Sequence, residues 1–243
     1  MVQVGFRSDK GIKRGNNEDA CFVIPKENIY IVADGVGGSN GGEIASRTAV
    51  SRIAEYVRNN PPEQLEGDEE KLQSYFLHCL SQVNETIYEM AHKYPENLGM
   101  ATTIVMAFLT ERVAYVINVG DSRAYICRNG KLSQITEDHT YINALLKSGA
   151  ITPDEARVHP QRNMITRALG GDLTIEPDFF RIEIQDGDIL LLCTDGLHGE
   201  VEDEAICAIL SEGLPMSEIC GKLVMKANRS GGRDNITVVC LKI

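Results

Sequence analysis

Three apolar runs in this chain end on an aspartate, and a fourth begins just after one. "IYIVA" (29–33) leads into Asp34-Gly35, "VAYVINVG" (113–120) into Asp121-Ser122, and "DILLLCT" (188–194) into Asp195-Gly196, while Asp234-Asn235 stands directly before "ITVV" (236–239). Short apolar runs bounded by turn residues read as buried strands. A fold for this chain must bury those strands and still accommodate a carboxylate beside each. Two readings of the aspartates stand side by side. Asp-Gly is a turn signal in its own right, so each aspartate could simply close a strand. If the strand ends converge, the carboxylates repel one another unless a cation neutralises them. Oxygen ligands without His or Cys select Mg2+ or Mn2+.

The rest of the pattern says how the strands are joined. "TTIVMAFL" (102–109) and "VAYVINV" (113–119) are separated only by "TER", as in a hairpin, and "SRAYICRNGKL" (122–132) turns back at "RNG". Val50, Ile53, Ala54 and Val57 fall on one helical face, with Arg47, Ser51, Glu55 and Arg58 opposite. A second stripe runs through Leu72, Phe76, Cys79, Leu80, Val83, Ile87, Met90 and Ala91 and stops before Pro95. Two further helices are expected at 202–211 and 215–229, and the polar stretch 59–70 reads as a loop. Residues 137–171 form a long excursion, with a short helical piece at 141–147 and a helix start at "TPDEA". Long excursions are often lids or binding loops. Hairpins predict antiparallel sheets, and two helix pairs predict that both outer faces are covered. No repeat or linker divides the chain, so one domain over 1–243 is expected.

Composition narrows the partners. A formal net charge of −11 argues against nucleic acid or an anionic membrane as a partner. The seven cysteines are widely spaced, without a C-x-x-C pair, and most sit in apolar runs. That pattern predicts free thiols in a reducing, cytoplasmic setting, without a disulfide frame or a zinc site. The N-terminal residues lack a signal-peptide core, and no apolar run approaches 18 residues.

The glycine-rich stretch "ADGVGGSNGG" (33–42) invites other readings. Gly37-Gly38-Ser39-Asn40-Gly41 fits the G-x-S-x-G nucleophile elbow, but the elbow sets its serine nearly flush with the strand end, and here Asp34 to Gly38 intervene. A dinucleotide fingerprint fails at Asn40, and a Walker A loop lacks its G-K-[ST]. Arg14, in "KRGNNEDA", lies four residues before Glu18 and could fork onto a phosphate while cations hold its other oxygens.

Taken in order, "RGNNEDA", "ADGVGG", "GDSRAY", "TDGL" and "RDNITVV" resemble the metal-dependent serine/threonine protein phosphatases of the type 2C (PPM) family, and "TEDHT…LLKSGAIT…HPQRNMITRALGG" is similar to the flap of its compact bacterial members. The resemblance covers nearly the whole chain. It implies an α+β fold, a four-layer α-β-β-α sandwich with two central antiparallel sheets, flanking helix pairs and a flap at about 137–171. It implies two Mn2+ or Mg2+ ions in the core site, beside the weaker third site of bacterial members. Asp34 would bridge the two ions, the Gly35 carbonyl would bind one, and Asp195 and Asp234 would complete the other. Glu18 would reach the site through water, Asp19 would orient site waters, and Asp121 with Asp195 would form the weaker third site. Arg14 would grip the phosphate. The implied reaction is hydrolysis of phosphoserine and phosphothreonine in proteins by a metal-activated bridging water, reversing a serine/threonine kinase. A pseudophosphatase binding module and a phosphatase of small molecules are the alternatives, and a monomer is expected. Two departures stand out: Val36 occupies a position where eukaryotic relatives often carry His, and Ser39 one where many bacterial members carry His. Val36 cannot donate a proton, which leaves the general acid open. His139 and His159 read as flap and loop residues, and His198 follows "TDGL", near the metals, where all-oxygen ligation is expected.

Overall fold

The computed structural model describes residues 2–38, 41–65 and 67–243. Ser39 and Asn40, on which the nucleophile-elbow reading falls, lie outside the described residues. Two antiparallel sheets pack face to face. The first runs in the order β1 (Gln3–Asp9), β11 (Ile236–Lys242), β10 (Ile189–Cys193), β7 (Arg123–Arg128), β8 (Lys131–Gln134). The second runs β2 (Asp19–Ile24), β3 (Ile29–Val36), β5 (Ile104–Leu109), β6 (Val113–Val119), β9 (Asp178–Glu183), with the short β4 (Ala101–Thr102) added to the end of β3. Helices α1 (Gly41–Asn59) and α2 (Glu69–Lys93) cover the second sheet, and α6 (Asp203–Leu210) and α7 (Met216–Ser230) cover the first. The short helices α3 (Tyr141–Lys147) and α4 (Pro153–Val158) lie in the excursion, and α5 (Asp195–His198) follows β10 directly. This is the α+β sandwich expected from the hairpins and helix pairs.

Period-two alternation sorts each central strand into two of three apolar layers. On β3, Ile29, Ile31 and Ala33 join the layer under α1 and α2, whereas Tyr30 and Val32 face the other sheet. On β10, Ile189, Leu191 and Cys193 join the layer under α6 and α7, and Leu190 and Leu192 point between the sheets. These strands are apolar throughout because both of their faces are covered.

Three strands were not expected from the sequence: β1, β2 and β9. All three are sheet edges. An edge strand pairs on one side only, and β1 and β9 leave several side chains exposed or half-buried, Phe6 among the exposed ones. Their apolar alternation is correspondingly weak. Asp34 also departs from expectation, lying inside β3 rather than at its end. The strand exchanges partners there: it pairs with β5 as far as Val32, then with β4 through Gly35–Thr102 and Val36–Ala101. The "RNG" turn is as read, with Asn129 (φ 52°) and Gly130 (φ 72°) both left-handed, as a two-residue hairpin loop requires.

Gly5 shows how closely the missed β1 is packed. A Cβ there would stand 2.2 Å from the backbone carbon of Met216, at the start of α7. We expect Gly5→Ala to destabilise the protein by about 2–3 kcal/mol, read as a lower urea midpoint with an unchanged slope.

Candidate active site

At one end of the inter-sheet layer the apolar side chains give way to carboxylates and hydroxyls. Asp19 opens β2 and stands opposite Asp34 in the β2–β3 register. The Asp34 backbone is held from the β4–β5 side. Its N–H donates to Thr103 Oγ1 at 3.0 Å, and its carbonyl accepts from the Thr103 N–H and Thr102 Oγ1, both at 2.8 Å. Thr103 Oγ1 in turn lies 2.7 Å from the Ser122 hydroxyl, next to Asp121. Asp195 follows Thr194 at the end of β10, and Asp234 precedes β11. The structure therefore brings Asp19, Asp34, Asp121, Asp195 and Asp234 into mutual electrostatic range.

Ionisation here is costly. Burial, then the neighbouring carboxylates, push Asp34 well above the usual carboxylate range. Burial raises Asp19 to about 8 despite hydrogen bonds from Thr237 and Thr194. Asp121 rises to about 7 through burial and then Asp195, and Asp195 to about 6 through burial and then Asp234. One oxygen of Asp19 accepts from Thr194 Oγ1 at 2.9 Å, but its Oδ1 is buried with no partner, and so is Oδ1 of Asp195. Buried acceptors are normally satisfied. Orphaned carboxylate oxygens, crowded by like charges, are what a divalent cation fits. Among the described residues, no three His, Cys, Asp or Glu side chains already form a closed metal cage. Main-chain carbonyls and water would thus complete any coordination shell, as hard divalent ions accept.

Gly35 is required by packing in its own right. A Cβ there would meet the Gly42 carbonyl oxygen at 1.9 Å and the Glu18 carbonyl oxygen at 2.6 Å. The glycine-rich stretch thus lets β3 cross the first turn of α1 with backbone against backbone. That first turn begins at Gly41, two residues before Glu43.

Arg14 and Glu18 stand beside the cluster. Arg14 Nη2 contacts Asp234 Oδ2 at 2.6 Å, and about half of its side chain is exposed. The Glu18 N–H donates to Asn235 Oδ1, and its side chain accepts from Asn16. Asn235, to which the sequence reading gave no role, ties this segment down: its Nδ2 donates to the carbonyls of Lys10 and Asn16, both at 2.9 Å. Thr103, Ser122 and Thr194 were also missed. The only signal for them was adjacency to an aspartate or, for Thr103, the Thr pair before β5.

His139, which is buried, and His198, which is half-buried, are occupied in holding backbone. His198 Nε2 donates to the Asp121 carbonyl at 3.1 Å, and burial drives its pKa down to about 3. His139 Nδ1 accepts from the Gly120 N–H at 3.1 Å, and Nε2 faces Asp178 at 3.2 Å. Burial lowers its pKa as well. His139 is the root of the excursion, reinforced by Arg123, which forks onto both Asp138 oxygens at 2.8 and 2.6 Å. The far end is held by Asn84 of α2, whose side chain accepts from the Gly170 N–H and donates to the carbonyls of Asp172 and Leu173. Between the excursion and the sheets lies a groove of about 900 Å3, with Asp121, Asp195 and Asp234 on its wall and Arg162 and Arg233 along it.

The raised carboxylates fix a pH dependence for the metal-free protein. A carboxyl whose folded pKa is raised contributes stability in its protonated form, and that stability is lost as pH climbs through the folded value. The lowered histidines act oppositely, but only below about 6.5, where the unfolded imidazole takes up its proton. We therefore expect the melting temperature of metal-free protein to fall between pH 6.5 and 8, where Asp121 and Asp19 titrate. Asp19→Asn should flatten the slope, and scanning calorimetry in EDTA reads both.

Comparison with known proteins gives the family. The profile of the family Protein phosphatase 2C matches residues 10–228. The serine/threonine phosphatase stp of Listeria innocua is 36% identical over 240 residues, covering 98% of this chain and 94% of that protein. The protein phosphatase PhpP of Streptococcus pneumoniae is 33% identical, covering 100% and 98%. Among solved structures, the S. agalactiae serine/threonine phosphatase superposes with a TM-score of 0.92 at 31% identity, covering both chains completely. The catalytic domain of the serine threonine protein phosphatase PstP in complex with two manganese ions gives 0.86 at 34% identity, covering 99% of this chain and 97% of that one. The chain belongs to the protein phosphatase 2C family of serine/threonine protein phosphatases.

Proposed function

We propose that this protein hydrolyses phosphoserine and phosphothreonine in proteins with Mn2+ or Mg2+ bound among Asp34, Asp195 and Asp234. The reading rests above all on the orphaned, buried Oδ1 atoms of Asp19 and Asp195 within a cluster of carboxylates held at raised pKa. Asp34, the Gly35 carbonyl, Asp195 and Asp234 would hold the ions. Asp121 with Asp195 offers a weaker third position, and Glu18 reaches the site through water. When bound, the cations supply Lewis acidity that lowers the pKa of a water and takes up charge on phosphoryl oxygens. The chain's own groups position the reactants. Asp19, fixed by Thr194, orients site water by accepting its hydrogen bonds. Arg14 uses one N–H group on Asp234 and has others free to fork onto phosphoryl oxygens as charge develops there.

Residues 1–243 act in this reading as one catalytic domain, with 137–171 as its flap and the adjoining groove receiving the polypeptide around the phosphorylated residue. The substrates are targets of a serine/threonine kinase, and the enzyme works as a cytoplasmic monomer in signalling. No helix of the described residues is long and apolar enough to cross a membrane.

With Mn2+ present, phosphothreonine and phosphoserine peptides are expected to be hydrolysed and EDTA to abolish the activity. Asp34→Asn or Asp195→Asn should each lower kcat/KM by about 100-fold or more, while Mn2+ calorimetry reports weakened binding. Turnover that survives both substitutions would refute the reading. Cleavage confined to small phosphate esters would favour a small-molecule phosphatase, and absence of Mn2+ heat in the unsubstituted protein a binding module.

A further inference from the structure

Of the seven cysteines, all of them free, five are buried in apolar layers, and four of these, Cys79, Cys193, Cys220 and Cys240, are removed from the surface entirely. Cys21 lies partly exposed on β2. The remaining two form a contact pair. Cys127, next to last in β7, and Cys207, in the middle of α6, have their sulfurs 4.0 Å apart across 80 residues of sequence. Cys207 is partly exposed, and its thiol donates to the Gly130 carbonyl at 3.1 Å, in the exposed Asn129-Gly130 turn.

We propose that Cys127 and Cys207 are an oxidative modification site, at which a peroxide converts the two thiols into a disulfide tying α6 to the β7–β8 hairpin. The inference is independent of the phosphatase reading. A disulfide requires the sulfurs to approach to about 2.0 Å. The movement needed is local: Cys207 turns its sulfur away from the Gly130 carbonyl, and that carbonyl, in an exposed hairpin turn, is left to water. Ser211, one helical turn after Cys207, sends its hydroxyl to the Cys207 carbonyl at 2.8 Å and stands 3.8 Å from the Cys127 sulfur, so no bulky group intervenes. The oxidant meets Cys207 first, because Cys127 is buried behind it.

The chemistry balances with hydrogen peroxide as the co-reactant. Peroxide transfers one oxygen to the Cys207 thiol, giving a sulfenic acid and one water. The Cys127 sulfur then attacks the Cys207 sulfur, the S–O bond breaks, and the oxygen leaves with the Cys127 proton as a second water. Two thiols lose two electrons and two protons, and peroxide is reduced to two waters. Closing a loop of this size restricts the unfolded chain.

The test treats the purified full chain with hydrogen peroxide, alkylates remaining thiols under denaturing conditions and maps the peptides. The expected result is two fewer alkylated thiols, a linked peptide joining Cys127 to Cys207, and a melting temperature raised by about 5–10 °C that returns on adding dithiothreitol. Cys127→Ser and Cys207→Ser should each lack the link, and Cys21→Ser should keep it. Should either serine variant fold poorly, the map of the unsubstituted chain decides alone. Oxygen additions at Cys207 with Cys127 still alkylatable, or a link through any other cysteine, would overturn the proposal.

Discussion

The rest of this structure is arranged around keeping five aspartates together, four of them largely shut off from water and Asp234 at the rim. Burial first, and then the neighbouring carboxylates, make each of them costly to ionise, which raises the pKa of Asp34, Asp19 and Asp121 in the metal-free protein. The sandwich meets that constraint by letting its inter-sheet layer change character along its length. On β3 the residues facing the other sheet run Tyr30, Val32, then Asp34. On β10 they run Leu190, Leu192, then Thr194, and on β11 Leu241, Val239, then Thr237. The parity that fills the middle of the layer with apolar groups delivers hydroxyls and carboxylates to its end. A slip of one residue in any of these strands would send the polar group into a helix-facing layer instead.

The excursion is fastened at this same end. Gly120 closes β6, and both its N–H and its carbonyl are taken by His139, through the imidazole and the backbone N–H. Because Nδ1 is the acceptor, the neutral ring carries its proton on Nε2, toward Asp178. His198 holds the next carbonyl, that of Asp121. Both imidazoles thus serve as spacers that set where Asp121 sits, and burial lowers both pKa values, favouring the neutral ring. The Asp121 carboxylate and the root of the groove are one construction.

What could be read in the sequence follows from how each signal arises. Central strands such as "ILLLC" are covered on two faces and announce themselves by continuous apolar residues. Edge strands such as "QVGFRSD" and "DFFRIE" are covered on less, and their polar positions blend into loops. Asp34, Asp195 and Asp234 were visible because each sits against an apolar run. The hydroxyls of Thr103, Ser122 and Thr194 and the amide of Asn235 were not, because hydrogen bonds to partners 19 to 225 positions away leave no local pattern. Gly35 was noticed for a different reason from the one that packing supplies: whatever its carbonyl binds, its missing side chain is what lets β3 pass Gly42.

Arg14 shows which part of the site is free to move. Its contact to Asp234 is short, but about half of Arg14 and a third of Asp234 remain open to solvent, and such a pair contributes only about 0–1 kcal/mol. Asp19 and Asp195 are different, because moving either would disturb buried groups whose unpaired oxygens already cost about 1–3 kcal/mol each. The loop carrying Arg14 is meanwhile anchored by Asn235 to the start of β11. A guanidinium held by a weak bond on a fixed loop can turn from a carboxylate to an incoming phosphate without loosening the cluster behind it. The site therefore divides into a rigid carboxylate floor, set by strand parity, and an exposed, weakly held guanidinium at its mouth.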